Sequence, residues 1–91
     1  MIEVSIVYND EKQIEKVREL DLDSLTFHFV NINTRKGKKA GWNLKNHWGA
    51  RLDPFAIVFK GDKPVKAFYS ESEDVIPNLI NYINNKRDFR H

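Results

Sequence analysis

Along the first eight residues apolar and polar positions alternate, Ile2-Glu3-Val4-Ser5-Ile6, before the run turns fully apolar at Val7-Tyr8. Alternation with period two predicts a half-buried strand. Asn9-Asp10 stops it, and Asp10 with Gln13 three residues on is a capping-box variant that opens a helix. Ile14, Val17 and Leu20 follow at helical spacing and predict an amphipathic helix over 11–20. Glu11 and Glu15 fall in its first turns, where the helix dipole favours acids. After a connection at Asp21–Ser24, the segment Leu25–Ile32 alternates strictly and is rich in aromatic and β-branched residues, which predicts a second strand. Strand, helix and strand within about 30 residues have the size of a βαβ unit, so the two strands are expected to be parallel with a right-handed crossover.

Asn33 to Gly41 is polar, basic and glycine-containing. Ala40, Leu44 and Trp48 form a stripe at i, i+4 and i+8, which predicts a helix within 38–48 and leaves Trp42 on its far side. Pro54 then stands directly before Phe55–Phe59, a short buried strand whose first position is where a missing N–H does least harm. Lys60–Lys63 reads as a hairpin turn, and Pro64–Tyr69 as a returning strand at an edge. Pro77 belongs in a first helical turn, so Asp74 is the expected cap of a last helix with Val75, Ile76, Leu79, Ile80 and Ile83 on its apolar face. Asn84-Asn85 ends that helix, and residues 86–91 form a basic tail expected to fray. The order is β-α-β-α-β-β-α in one domain over 1–91, with Phe27, Phe29, Phe55, Phe59 and Phe68 assigned to the core.

Charge changes this picture more than composition does. The net charge is only +2, yet residues 25–52 hold no acid and carry Arg35, Lys36, Lys38, Lys39, Lys45 and Arg51. The rest of the chain therefore sums to −4. No apolar stretch approaches the ~20 residues that span a bilayer. Cysteine is absent, which excludes disulfides, thiolate metal sites and thiol nucleophiles. Asn, Lys and Ile fill 27 of the 91 positions. That is the bias of an AT-rich genome, and it points to a phage or mobile-element protein at work in the cytoplasm of an infected cell or in the virion.

At this length the element order resembles the thioredoxin and glutaredoxin families. Those proteins carry an aromatic–Gly–apolar–Arg stretch, two further residues, a proline and an apolar strand. Here the match is Trp48-Gly49-Ala50-Arg51, Leu52-Asp53, Pro54, then Phe55–Phe59, followed by the charged turn Lys60-Gly61-Asp62. The resemblance implies a thioredoxin-like α/β fold with a four-stranded mixed sheet flanked by helices, the 65–69 strand at an edge, and a cis Asp53–Pro54 bond. Two departures are plain. Where the redox families place Cys-x-x-Cys or Cys-x-x-Ser, this chain has Tyr8-Asn9-Asp10-Glu11-Lys12-Gln13, so dithiol exchange is chemically impossible. Asp53 puts a charge where the family has an apolar or β-branched residue that pairs with peptide or glutathione.

The expected role is a non-catalytic, redox-inactive module that binds another protein, by analogy with redox-dead members of the fold. Its candidate contact residues are Asp53, Pro54, Trp42, Asp10 and Glu11. The first alternative is nucleic-acid or polyanion binding through Arg35, Lys36, Lys38, Lys39 and Lys45, because clustered cations with an interleaved aromatic suit phosphate backbones and base stacking. The second is a thiol-independent, glutathione-binding enzyme. His28, His47 and His91 lack paired ligand spacing, so neither a metal nor a cofactor enters the reading.

Overall fold

The computed structural model describes residues 2–20 and 25–85, and its sheet is built around the first strand. Strand β1 (Ile2–Tyr8) pairs in parallel with β2 (Leu25–Asn31) on one side and antiparallel with β3 (Phe55–Lys60) on the other. Strand β4 (Lys63–Tyr69) pairs antiparallel with β3, which gives the order β2-β1-β3-β4. The central strands are the most apolar, since both of their faces are covered. Val4, Ile6 and Val7 of β1 and Phe55 through Val58 of β3 are all fully buried. The expected four-stranded mixed sheet is present, with the returning strand at an edge. The hairpin closes through Gly61-Asp62, and Gly61 at φ +65° is the glycine that a type II′ connection needs at its first central position.

The first helical segment departs from the expected continuous helix over 11–20. A 3₁₀ turn (Glu11–Ile14) runs into a four-residue helix, α1 (Glu15–Arg18). The expected cap is in place: Asp10 accepts from the Lys12 amide at 3.0 Å, and the Gln13 side chain accepts from the amides of Asn9 and Asp10. Tertiary contacts hold the short segment. Ile14 and Val17 are fully buried, and the Tyr8 hydroxyl donates to Glu11 at 3.0 Å while Arg18 bridges to Glu11 at 3.3 Å. The Arg18 guanidinium also lies 4.4 Å from the Phe29 ring centre. Burial, then the hydrogen bond to Glu11, raises the Tyr8 phenol above its ordinary pKa.

Helix α2 (Arg35–Trp48) starts three residues before the expected segment. Thr34 caps it, accepting from the Gly37 amide at 2.9 Å. The buried stripe also differs from the expected one. Leu44 and Trp48 pack on the sheet, but Ala40 is exposed and Gly37 and Gly41 take the buried positions. Backbone-to-sheet approach is the reason: a Cβ on Gly41 would lie 2.8 Å from Ile32 and 2.9 Å from Val7, and one on Gly37 would collide with the Asn31 carbonyl oxygen. The helix begins over the end of β2 and finishes at β4, where the Tyr69 hydroxyl donates to the Trp48 carbonyl at 2.9 Å. Helix α3 (Val75–Asn85) lies on the opposite face of the sheet with α1, and Asp74 and Pro77 hold the expected cap and third positions. Phe55 and Phe68 are buried as expected, whereas Phe27, Phe29 and Phe59 are only half-buried. The connection 21–24 and the tail 86–91 lie outside the described residues, as does His91.

Gly37→Ala is expected to lower unfolding free energy by about 1–3 kcal/mol, the usual cost of overpacking, despite the better helix propensity of alanine. Gly41→Ala should cost less, because movable methyl groups rather than a carbonyl oxygen meet the added atom. Urea denaturation of the two variants beside the parent checks both the sign and the order.

Candidate functional site

The segment joining α2 to β3 brings together three of the candidate residues, Lys45, Asp53 and Pro54. Gly49, at φ +76°, ends α2 in the left-handed conformation, and the Ala50 amide donates back to the Lys45 carbonyl at 2.8 Å. The reversed chain carries Asp53 back beside the last turn of the helix. There Lys45 Nζ sits 2.7 Å from Asp53 Oδ1, with the two side chains only 14% and 8% exposed. The Asp53–Pro54 peptide bond is cis. Asp53 is therefore spent on an internal ion pair rather than offered to a ligand, and Lys45 is held by the same pair.

A residue that the sequence did not single out fixes the rest of this loop. The Glu71 carboxylate accepts from the backbone amides of both Arg51 and Leu52, the latter at 2.8 Å. Ser70 adds a hydrogen bond from its hydroxyl to the Pro54 carbonyl at 2.5 Å. Desolvation pushes the Glu71 carboxyl up. Amide hydrogen bonds from Glu71 itself, Arg51 and Leu52, together with the Arg51 charge, outweigh it and hold the group below its ordinary pKa. Nothing in the local pattern Tyr69-Ser70-Glu71-Ser72 marks this role, since the two amides it satisfies lie about twenty residues earlier.

Pro54 itself faces a shallow cleft of about 370 Å³ shared with Gln13, Ser70, Glu73, Asp74 and Ile76. The cleft thus sets Pro54 beside the segment beginning at Asn9, through Gln13. Asp10 is occupied by capping and Glu11 by Tyr8 and Arg18. Two acids, Glu73 and Asp74, line the cleft. Anionic ligands such as glutathione would meet like charge there.

The outer face of α2 is of a different kind. Trp42 is 62% exposed, the most exposed large apolar side chain among the described residues. Helical spacing places Lys38 and Lys39 one turn before it, Asn46 one turn after, and Arg35 two turns before on the same face. Arg35, Lys36, Lys38 and Lys39 are exposed, and no ion pair holds any of them among the described residues. One cleft of about 250 Å³ lies beside the Trp42 ring, bounded by Lys45, Asn46, Ala50 and Arg51. A second, of about 410 Å³, lies against Arg35, Lys36, Lys39 and Asn43. So three of the five candidate cations, Arg35, Lys38 and Lys39, stand with Trp42 on one face of a helix that holds no acid, Lys36 lies to one side of that face, and Lys45 turns inward. His28 meets Glu3 at 3.0 Å on a distant part of the sheet, and no three metal-ligating side chains gather anywhere among the described residues. None of the described helices is long and apolar enough to cross a membrane.

Lys45→Met should destabilise the fold by about 3 kcal/mol, because it strands the Asp53 carboxylate in a nearly buried position. Adding Asp53→Asn should recover part of that loss, and a double-mutant cycle in urea reads the coupling. For Glu71 the depressed pKa means that its stabilising effect is complete at pH values above the unfolded-state pKa and fades as pH falls through the folded-state value. The thermal midpoint is thus expected to drop as pH falls below the ordinary glutamate pKa, and Glu71→Gln should flatten that acid limb.

No family model matches this sequence, and neither a curated protein nor a solved structure matches it.

Proposed function

We propose that this chain is a redox-inactive domain of thioredoxin-like architecture that works as a non-catalytic binding module, with the outer face of α2 as its contact surface for a protein bearing an acidic patch. The element order and the strand order β2-β1-β3-β4 support the architecture. One observation carries the function: Trp42 stands 62% exposed on a helix that holds no acid, with Arg35, Lys38 and Lys39 on the same face and in no ion pair among the described residues. An exposed tryptophan costs solvation and contributes nothing to the core, whereas buried Trp and Arg dominate interface energetics. The Pro54 loop is the weaker surface, because its Asp53 carboxylate is tied to Lys45 and its amides at Arg51 and Leu52 to Glu71 within the fold.

The absence of ion pairs at Arg35, Lys36, Lys38 and Lys39 among the described residues also favours a second reading, a phosphate backbone laid along α2 with a base stacked on Trp42. Trp42→Ala should leave the thermal midpoint unchanged and abolish recovery of a partner in affinity capture from the native source. Lys38→Glu with Lys39→Glu should do the same. Quenching of tryptophan emission by a single-stranded oligonucleotide, with affinity falling steeply as salt rises, would transfer the face to nucleic acid. Capture by the parent and the Trp42→Ala variant to equal extents would remove α2 as the contact surface.

A further inference from the structure

The two edges of the sheet are finished differently. Edge strand β4 carries Lys63, Pro64 and Lys66, and its pairing with β3 is interrupted by an irregularity at Val58/Phe59. Lysines, a proline and a bulge are the features that keep an edge from pairing with another chain. Edge strand β2, Leu25-Thr26-Phe27-His28-Phe29-Val30-Asn31, has none of them. It holds no Lys, Arg, Asp or Glu, it is strongly β-forming, and six of its seven residues are exposed or half-exposed.

Its backbone is also aimed outward in a regular way. The Ile32 amide donates to the Tyr8 carbonyl at 3.0 Å. Alternation along the strand then turns the peptide groups of His28 and Val30 toward β1, and those of Leu25, Phe27 and Phe29 away from it. Helix α2 covers only the Asn31 end of this side, where Gly37 lies against the Asn31 carbonyl and Thr34 donates to it. A cleft of about 340 Å³ lies at that end, bounded by Phe29, Val30, Asn31, Thr34, Lys36 and Ala40.

We infer that β2 pairs with β2 of a second copy of this chain, antiparallel about a two-fold axis at His28, to make a continuous eight-stranded sheet. His28 is the midpoint of the strand, so this register uses the outward peptide groups of Phe27 and Phe29 on both sides of the axis, while the Asn31 carbonyl stays with Thr34. It sets Phe27 opposite Phe29 of the other copy in both directions, as hydrogen-bonded pairs formed by the outward peptide groups. The two rings already stack at 5.8 Å within one copy, so the dyad gathers four phenylalanines on the face shared with α1 and α3. Leu25 of the second copy comes opposite Asn31, in the cleft. Two copies meeting through β4 would instead bring its lysines together across the edge. The pairing is isologous and closes on itself, which limits the assembly to a dimer. It is independent of what α2 binds.

The absence of cysteine makes the test direct. His28→Cys is a single thiol at an exposed site, placed on the axis, where directly opposed residues of a non-hydrogen-bonded pair lie about 4.5 Å apart at Cα, within disulfide reach. Mild oxidation should convert it to a covalent dimer, while Val65→Cys on the other edge stays monomeric under the same conditions. Sedimentation equilibrium of the parent should give twice the chain mass. His28→Glu, which sets four carboxylates with both Glu3 side chains around the axis, should sediment as a folded monomer by circular dichroism. A parent that sediments as a monomer at about 100 μM, or His28→Cys that cross-links no faster than Val65→Cys, overturns the inference.

Discussion

Helix α2 lies close on the sheet because Gly37 and Gly41 stand at the points of contact, Gly37 against the Asn31 carbonyl and Gly41 against the side chains of Ile32 and Val7. Much else follows from that approach. With glycine at two of the four inward positions, Leu44 and Trp48 supply most of the helix's apolar burial, and they do so toward β3 and β4. The helix is thereby set across one end of the sheet rather than along it. Its rotation about its own axis is also fixed, and this turns Arg35, Lys39 and Trp42 outward together. A helix held off by larger residues could rotate to bury Trp42. Here the close contact leaves no such freedom, so the exposure of the ring follows from how the helix is seated.

The segment after α2 is secured by charge where α2 itself is secured by shape. Lys45 and Asp53 are eight residues apart in sequence and meet only because Gly49 reverses the chain. Both side chains are largely removed from water, so each depends on the other to avoid a buried unpaired charge. Glu71 then satisfies two amides that the tight turn leaves without strand or helix partners. The loop beside Pro54 is therefore tied from both sides of the sheet's end. The polar groups of the loop are turned to internal use, whereas Arg35, Lys36, Lys38 and Lys39 on α2 are exposed and in no ion pair among the described residues.

Much of the fold was legible in the sequence because period-two and period-3.6 signals are strong where one face is buried. Strands β1, β2 and β3, the Asp10 cap and the Asp74–Pro77 start all follow from such local patterns. The start of α2 was hidden because Gly37 and Gly41 read as helix breakers, whereas packing against the sheet more than offsets their poor propensity. Ala40 was placed on the buried stripe for the same reason, since the glycines that occupy it carry no apolar signal. The segment 11–20 has helical spacing but too little length for more than a turn of each helix type once the Tyr8–Glu11–Arg18 contacts hold it. Of the site, the exposed Trp42 and its cations were visible as a position off the stripe and an acid-free run. The Lys45–Asp53 pair and the Glu71 contacts were not, because each joins residues that only the folded chain brings together.

The edge and the helix face bear on each other through the sheet. A two-fold axis at His28, perpendicular to the sheet, leaves equivalent faces on the same side, so both copies of α2 would lie on one surface. Each helix starts over the far end of β2, beyond Asn31, so the two would sit toward opposite ends of the shared strand pair without meeting. The opposite surface would carry α1, α3 and the four phenylalanines. Two Trp42-bearing faces on one side give a bivalent surface, and a partner with repeated anionic sites would then bind the second face at a high effective concentration. Weak contact by a single exposed helix face becomes sufficient under that arrangement, which is a physical reason for a small domain to leave one sheet edge unblunted while it protects the other.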